Sequence, residues 1–214
     1  LAMVPPALLV GLAVLLALDS WLALSKAGLT FVTSTEWDPV RQEFGAAHFI
    51  FGTLMTSLVA LLIGTPIGIG CALFLAEYAP RWLREPVSYL IEMLAVIPSI
   101  IYGIWGLFVF APFLQRHLQP ALISLFDGVP GLERMFAGPP FGIGVLTAGL
   151  ILGIMVLPFI TSVTRDVFET VPPLLKESAY GLGATTWEVV RSIVIPYTRV
   201  GLVGGVMLGL GRAL

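Results

Sequence analysis

The chain has 214 residues, 57% apolar and 11% charged, with a formal net charge of −2. Soluble domains carry roughly a quarter charged residues, so this composition, with a mean hydropathy of +0.98, excludes an ordinary soluble domain. The charge excludes the basic field that nucleic acid requires, and the lone Cys71 excludes an intrachain disulfide or a cysteine-rich metal site.

Lipid offers backbone groups no water, so each long uncharged run reads as a spanning helix. The first runs from about Val4 to Leu24, with Asp19 near its end. It resembles a signal-peptide core, but no Lys or Arg precedes it and no convincing cleavage site follows. We expect a first span whose own N-terminus is missing. A polar connection, Lys26–His48, follows and holds Glu36, Trp37, Asp38, Arg41 and Glu43. The second span covers Phe49 to Ala76 without a charge, and Glu77–Glu85 is a short connection with Arg81 and Arg84.

The third span is expected over Met93 to Phe113 and the fourth over Phe141 to Thr164. Between them, Gln115–Gly138 holds Arg116, Asp127, Glu133 and Arg134. The fifth begins near Val200, after the long polar stretch Arg165–Arg199. Trp21, Trp37 and Trp82 fall near helix ends, where amphipathic rings favour the membrane interface. Gly64, Pro66, Gly68, Gly70, Pro98, Gly103 and Pro158 lie inside spans. Small residues let helices approach closely, and neighbours can absorb carbonyls freed by proline.

Arg81, Arg84, Arg165, Lys176, Arg191 and Arg199 fall on one side of the membrane, six cations against four, Lys26, Arg41, Arg116 and Arg134, on the other. The bias places Glu77–Glu85 and 165–199 in the cytoplasm.

The informative connection is Thr170–Pro196, expected to be two short helices joined by a turn. Pro172 and Pro173 suit a first helical turn. Gly181 and Gly183 supply a stop and a turn. Thr185 and Glu188 have capping-box spacing. Trp187, Val190, Ile193 and Val194 form an apolar stripe that Pro196 ends. Such a hairpin either docks into a groove on a partner or lies on the membrane surface. The residues alone leave both open.

Within it, Glu177-Ser178-Ala179, then three residues, Gly183, nine residues, and Ile193-Val194-Ile195-Pro196 match a known spacing. The pattern resembles the Glu-Ala-Ala loop signature of ABC-importer permeases, with Ser and Ile as mild departures. The segments 74–112, 141–190 and 204–214, and the EWDPV and QEFGA runs of the first outer loop, look like the C-type permease subunits of phosphate importers. The A-type sister subunits share Pro-Ser-Ile-x-Tyr-Gly and Arg-Ala. The Phe-Ala-Pro end of the third span and the run from Arg165 to Glu169 favour the C-type.

The resemblance implies an all-α, polytopic transmembrane bundle of the type I importer permease class, with about five of six spans present. It implies one permease domain over 1–214, truncated at its C-terminal end before a Gly-Glu-Thr and a sixth span. Residues 170–196 would be the cytoplasmic coupling loop, carried by Glu177, Ser178, Ala179, Gly183, Ile193 and Pro196. The implied role is phosphate translocation across the bacterial inner membrane. A related oxyanion permease, for sulfate or molybdate, or the A-type sister is the alternative. Implied partners are an ATPase dimer, a sister permease, a periplasmic phosphate-binding protein and membrane lipid, with no nucleic acid. The chain itself is expected to bind no cofactor. It shows no P-loop, Ser-His-Asp or zinc pattern, so ATP, with Mg, belongs on the ATPase, and the chain is not itself an enzyme.

Arg212 falls within the fifth span, where a cation is costly and faces a cavity or a partner. A guanidinium fork matches phosphate oxygens, so Arg212 is the pathway candidate. The competing reading is a salt bridge to the Glu that the family pattern puts downstream. Asp19 and Glu92 read as interfacial, as do His48 and His117. Ser99, Tyr102 and Thr161 could offer hydroxyls to an anion or bond a neighbouring backbone.

Overall fold

The structure is a computed structural model that describes residues 4–28, 30–41, 43–126 and 141–214. Asp127, Glu133 and Arg134 of the expected connection lie outside the described residues. The chain divides into two compact units, Leu1–Thr53 and Leu54–Leu214.

The first unit opens with helix α1, Val4–Ala27. Its described side chains are exposed all round, as in a helix apolar on every face that meets lipid. Gly28, at φ 57°, follows its last residue, the left-handed stop that glycine accepts most readily. A single turn, α2 (Thr30–Thr33), leads to a two-stranded antiparallel pair, β1 (Trp37–Asp38) with β2 (Glu43–Phe44). Asp38 Oδ1 accepts from the amides of Val40 and Arg41 at 2.8 and 3.2 Å, which closes the turn. Trp37 packs edge-on against Phe44 and Phe49. Nothing in the polar Lys26–His48 stretch announced this hairpin.

The remaining apolar helices are α3 (Ala47–Tyr78), α5 (Ser99–Phe126), α6 (Val145–Glu169) and α8 (Thr186–Ala213); with α1 they make five described spans. Amphipathic α4 (Arg81–Val96) precedes α5, and the short α7 (Pro173–Gly181) precedes α8.

Helix α6 is the centre of the second unit. Val156, Ile160, Thr164 and Phe168 are fully buried and recur every four residues, so they share one helix face. Glycines at the same spacing pack on this helix: Gly68 on α3 and Gly205 and Gly209 on α8 meet that face, while Gly64 on α3 meets Gly153 and Gly201 on α8 meets Val167. A Cβ on Gly209 would come within 2.7 Å of Ile160 Cγ1, and one on Gly68 within 3.0 Å of Ile160 Cγ2. Ile160 thus fills the space that two glycines leave. Apolar side chains gain little by leaving lipid for each other, so close backbone packing of this kind holds spans together.

Two expected boundaries are corrected. The third span does not run from Met93 to Phe113. Helix α4 stops at Val96, Ile97 and Pro98 are extended, and a new helix starts at Ser99. Proline lacks an N–H and drives its predecessor out of the helical region. The short connection Glu77–Glu85 is therefore a π turn (Phe74–Tyr78) followed by the first turns of α4. Pro196, in turn, does not end a helix. Val190–Val194 is a π turn, with the Ile195 amide bonded to the Val190 carbonyl, and the helix runs on to Ala213. The fifth span starts near Thr186 rather than Val200. At roughly 1.5 Å per residue its 28 residues reach about 42 Å. That exceeds a hydrocarbon core of about 30 Å, so its first turns extend beyond the lipid.

Candidate functional site

The hairpin of residues 170–196 forms as its turn residues require. Pro172 is the extended N-cap of α7 and Pro173 its first helical residue. Gly183 follows at φ 87°. The Ala184 amide donates to the Ala179 carbonyl at 3.1 Å and the Gly183 amide to the Tyr180 carbonyl at 2.9 Å. These two bonds make a Schellman stop. Ala179 therefore acts through its carbonyl as well as its methyl group. No atom lies within 4 Å of a Cβ built on Gly183, so its glycine answers to backbone geometry and not to crowding. Gly181 is the last residue of α7 and has no such constraint.

The second arm begins with the expected capping box. Thr185 Oγ1 accepts from the Glu188 amide at 3.4 Å, and Glu188 Oε2 accepts from the Thr185 amide at 2.8 Å. Two amides that a helix start leaves unbonded are thereby satisfied.

The hairpin has two faces. On its inner face Ala179, Ala184, Val189, Ile193 and Val194 pack on Ala72 of α3, Phe168 of α6 and Val171. On its outer face Leu174, Leu182 and Trp187 are exposed, as are Glu177 and Ser178. Trp187, expected on the apolar stripe, thus points away from the spans, and Val189, not singled out in the sequence, takes the buried place. Ser178 Oγ donates to the Leu174 carbonyl at 2.7 Å, so a serine is tolerated there without a partner elsewhere. Glu177 makes no ion pair among the described residues. Of the signature residues, Ala179, Gly183 and Ile193 shape and seat the hairpin; Glu177 and Ser178 face outward; Pro196 lies inside α8.

Two charged contacts tie this end of the unit together, and sequence reasoning missed both. Lys176 Nζ lies 2.5 Å from Glu77 Oε1, with the Glu77 side chain only 6% exposed. Arg165 Nη2 lies 3.1 Å from Glu92 Oε1 and 2.9 Å from Asp166 Oδ1. Glu92 is thus paired with α6 as well as interfacial. Arg84 Nη2 donates to the Ala76 carbonyl at 2.9 Å, where the π turn ends α3.

Arg212 stands in the last turn of α8, half-buried. Its Nη2 donates to the Ala95 carbonyl at 3.2 Å, and its Cζ sits 6.0 Å from the Phe159 ring centroid. The break at Pro98 bares that carbonyl. The Leu94 carbonyl accepts from the Ile97 amide at 3.3 Å and from Tyr102 Oη at 3.0 Å. Arg212 Nε is buried without a hydrogen-bond partner, and no carboxylate pairs with the guanidinium among the described residues. Donors aimed inward with no counter-ion suit an anion. Tyr102 is spent on a backbone carbonyl, while Ser99 lines a mainly apolar cleft with Thr56, Gly103 and Met155. Thr161 is buried beside Gly68. His48 packs on Phe49, and His117 stacks on Phe113. No group of three or more potential metal ligands occurs among the described residues.

Apolar spans that pack through glycines and carry an exposed hairpin at one end define a polytopic membrane permease fold. Residues 64–214 match the family described as binding-protein-dependent transport system inner membrane component. The chain belongs to this family and is a multi-pass inner-membrane protein. It is 62% identical over 207 residues to the phosphate transport system permease protein PstC of Mesorhizobium japonicum, covering 97% of this chain and 63% of the relative. With the protein of the same name from Haemophilus influenzae the identity is 58%, over 97% of this chain and 66% of the relative. Phosphate transport system permease protein PstC 1 of Mycobacterium tuberculosis is 41% identical, over 87% and 60%. The chain therefore spans somewhat less than two thirds of the length of these relatives. An inward-facing MetNI methionine ABC transporter shares the fold, with a TM-score of 0.58 at 21% identity over 78% of this chain and 69% of that one.

Proposed function

We propose that the chain is the permease subunit of an ATP-driven importer that moves inorganic phosphate across the cytoplasmic membrane. The observation that carries this is the two-faced hairpin. Its inner face is seated on two spans through Ala72 and Phe168. Its outer face offers Glu177, Leu182 and Trp187 to a partner. The outward carboxylate of Glu177 together with exposed Leu182 and Trp187 suits a groove on a partner that is apolar with a polar rim. The names of the relatives support phosphate as the substrate.

In this reading residues 165–199 are cytoplasmic and 170–196 dock on an ATPase subunit. The ATPase dimer holds ATP with Mg, and this chain binds no cofactor of its own. A periplasmic phosphate-binding protein delivers the anion from outside, and a sister permease supplies the other half of the path. ATP binding closes the ATPase pair, the hairpin follows, and the spans rock as rigid bodies between two states. Arg212, with a buried Nε that has no partner and no carboxylate paired to it among the described residues, is the pathway residue in this reading. Phosphate can take its fork from the Ala95 carbonyl, since it offers opposite charge and two oxygens to the planar guanidinium where the carbonyl offers one neutral acceptor.

The test is ATP-dependent uptake of radiolabelled phosphate by proteoliposomes holding the full-length permease, its sister, the ATPase and the binding protein. Uptake that sulfate and molybdate do not compete is expected. Uptake of another oxyanion in its place overturns the substrate, and uptake indifferent to ATP overturns the mechanism.

A further inference from the structure

We infer that the ion pair between Lys176 and Glu77 is the directional strut that makes the hairpin and the end of α3 move as one body, with Lys176 a positioning residue for coupling. The inference rests on the function proposed above. Around this pair the hairpin and α3 share an apolar cluster, with Ala179, Ala184 and Val189 from the hairpin and Ile69, Ala72, Leu73 and Ala76 from α3. Methyl groups packed this way resist separation but offer little against sliding, because apolar attraction is non-directional. The ion pair is different. Its partners lie 99 residues apart in the chain, at 2.5 Å.

Both ends of the strut are fixed by their surroundings. Glu77 sits in the π turn that ends α3, and its side chain is almost wholly buried. Arg84 grips the carbonyl of the preceding residue, Ala76, and Pro80, the N-cap of α4, follows after Tyr78 and Ala79. The backbone that carries the carboxylate is therefore held on both sides of Glu77. Lys176 stands on α7, next to Glu177. Lys176 reaches inward to Glu77, and Glu177 faces outward. A push received at the outer face is one residue away from the strut. A buried carboxylate stripped of its cation is strongly unfavourable, so the two groups separate only at high cost. Movement of the hairpin is then transmitted along α3 to Gly68 and Gly64, which bear on Ile160 and Gly153 of the central helix.

The experiment uses the full transporter in proteoliposomes and reads phosphate imported per ATP hydrolysed, together with the amount of assembled complex. Lys176→Met alone leaves Glu77 buried and bare, and its failure to accumulate would be a folding effect. The deciding variant is Lys176→Met with Glu77→Met, which keeps two long side chains and removes both charges. A buried ion pair replaced by apolar groups of similar volume generally folds as well or better. The strut reading expects this variant to assemble at the wild-type level and to hydrolyse ATP, with phosphate per ATP reduced at least about tenfold, within the range typical of coupling between sites. Lys176→Arg, which keeps the charge, is expected to recover most of the ratio. A wild-type ratio in the double Met variant overturns the inference, and so does failure of that variant to assemble, since the pair would then be structural only. The wild-type complex measured alongside separates this from the parent reading: no ATP-dependent phosphate uptake there overturns the proposed function itself.

Discussion

Arg212 and Ala95 stand 117 residues apart in the chain, and the guanidinium of one donates to the carbonyl of the other at 3.2 Å. The contact exists because Pro98 interrupts the helix and leaves that carbonyl without an amide. If Arg212 recognises phosphate, Arg212→Gln removes the charge but keeps a donor for Ala95. Uptake is expected to fall by at least about tenfold, or roughly 1.4 kcal/mol of lost interaction, with the membrane level unchanged. Arg212→Lys is expected to fall between, because an ammonium keeps the charge and loses the planar fork. Transport normalised to permease in the membrane measures both.

The packing of α6 against α8 leaves no room at Gly209. Gly209→Ala forces its methyl onto Ile160 Cγ1, and overpacking of this kind costs about 1–3 kcal/mol. Ile160→Ala, which removes the clashing atoms, is expected to absorb part of that cost. Thermal denaturation of the detergent-purified complex should show the pair destabilising by less than the sum of the single changes.

The second arm of the hairpin starts on the Thr185–Glu188 box. Thr185→Ala removes the side-chain acceptor at a cost of about 1 kcal/mol, while Thr185→Ser keeps it. Hydrogen exchange of the amides at 186–190 is expected to quicken roughly fivefold in the first variant and stay unchanged in the second, since about 1 kcal/mol is a factor of that size. Unchanged exchange in both would mean that the inner-face packing alone holds the arm.

How legible this molecule was in its sequence depends on the physics behind each feature. Spans were legible because lipid demands about 20 apolar residues in a row, and four of the five described spans fall where uncharged runs placed a span, though α8 begins earlier than its run. The third was displaced because Arg84, Glu85 and Glu92 make α4 look like a loop and a span end, while the break at Ile97–Pro98 depends on two residues. The π turns at Phe74–Tyr78 and Val190–Val194 have no signal of their own, so Pro196 looked like a stop. The hairpin could be read from Gly183, Thr185 and Glu188 because its bonds are local. The pairs that cross the fold could not. Lys176 and Glu77, or Arg165 and Glu92, are ordinary charges near helix ends until the chain is folded. Ala95 offers no side chain to notice, so the partner of Arg212 was invisible, although its depth in an apolar run marked the arginine itself.

The most direct test of coupling through the hairpin is Gly183→Asp in the reconstituted transporter, with phosphate uptake and ATP hydrolysis read together. Gly183 needs its positive φ and has open space around it. Aspartate tolerates that conformation better than most residues but adds charge to the outer face, and Gly183→Asn supplies the same shape without it. Insertion and complex recovery are expected at wild-type level, with uptake lost and hydrolysis no longer tied to it in the Asp variant, and partial uptake in the Asn variant. Wild-type uptake per ATP hydrolysed in Gly183→Asp would contradict the account.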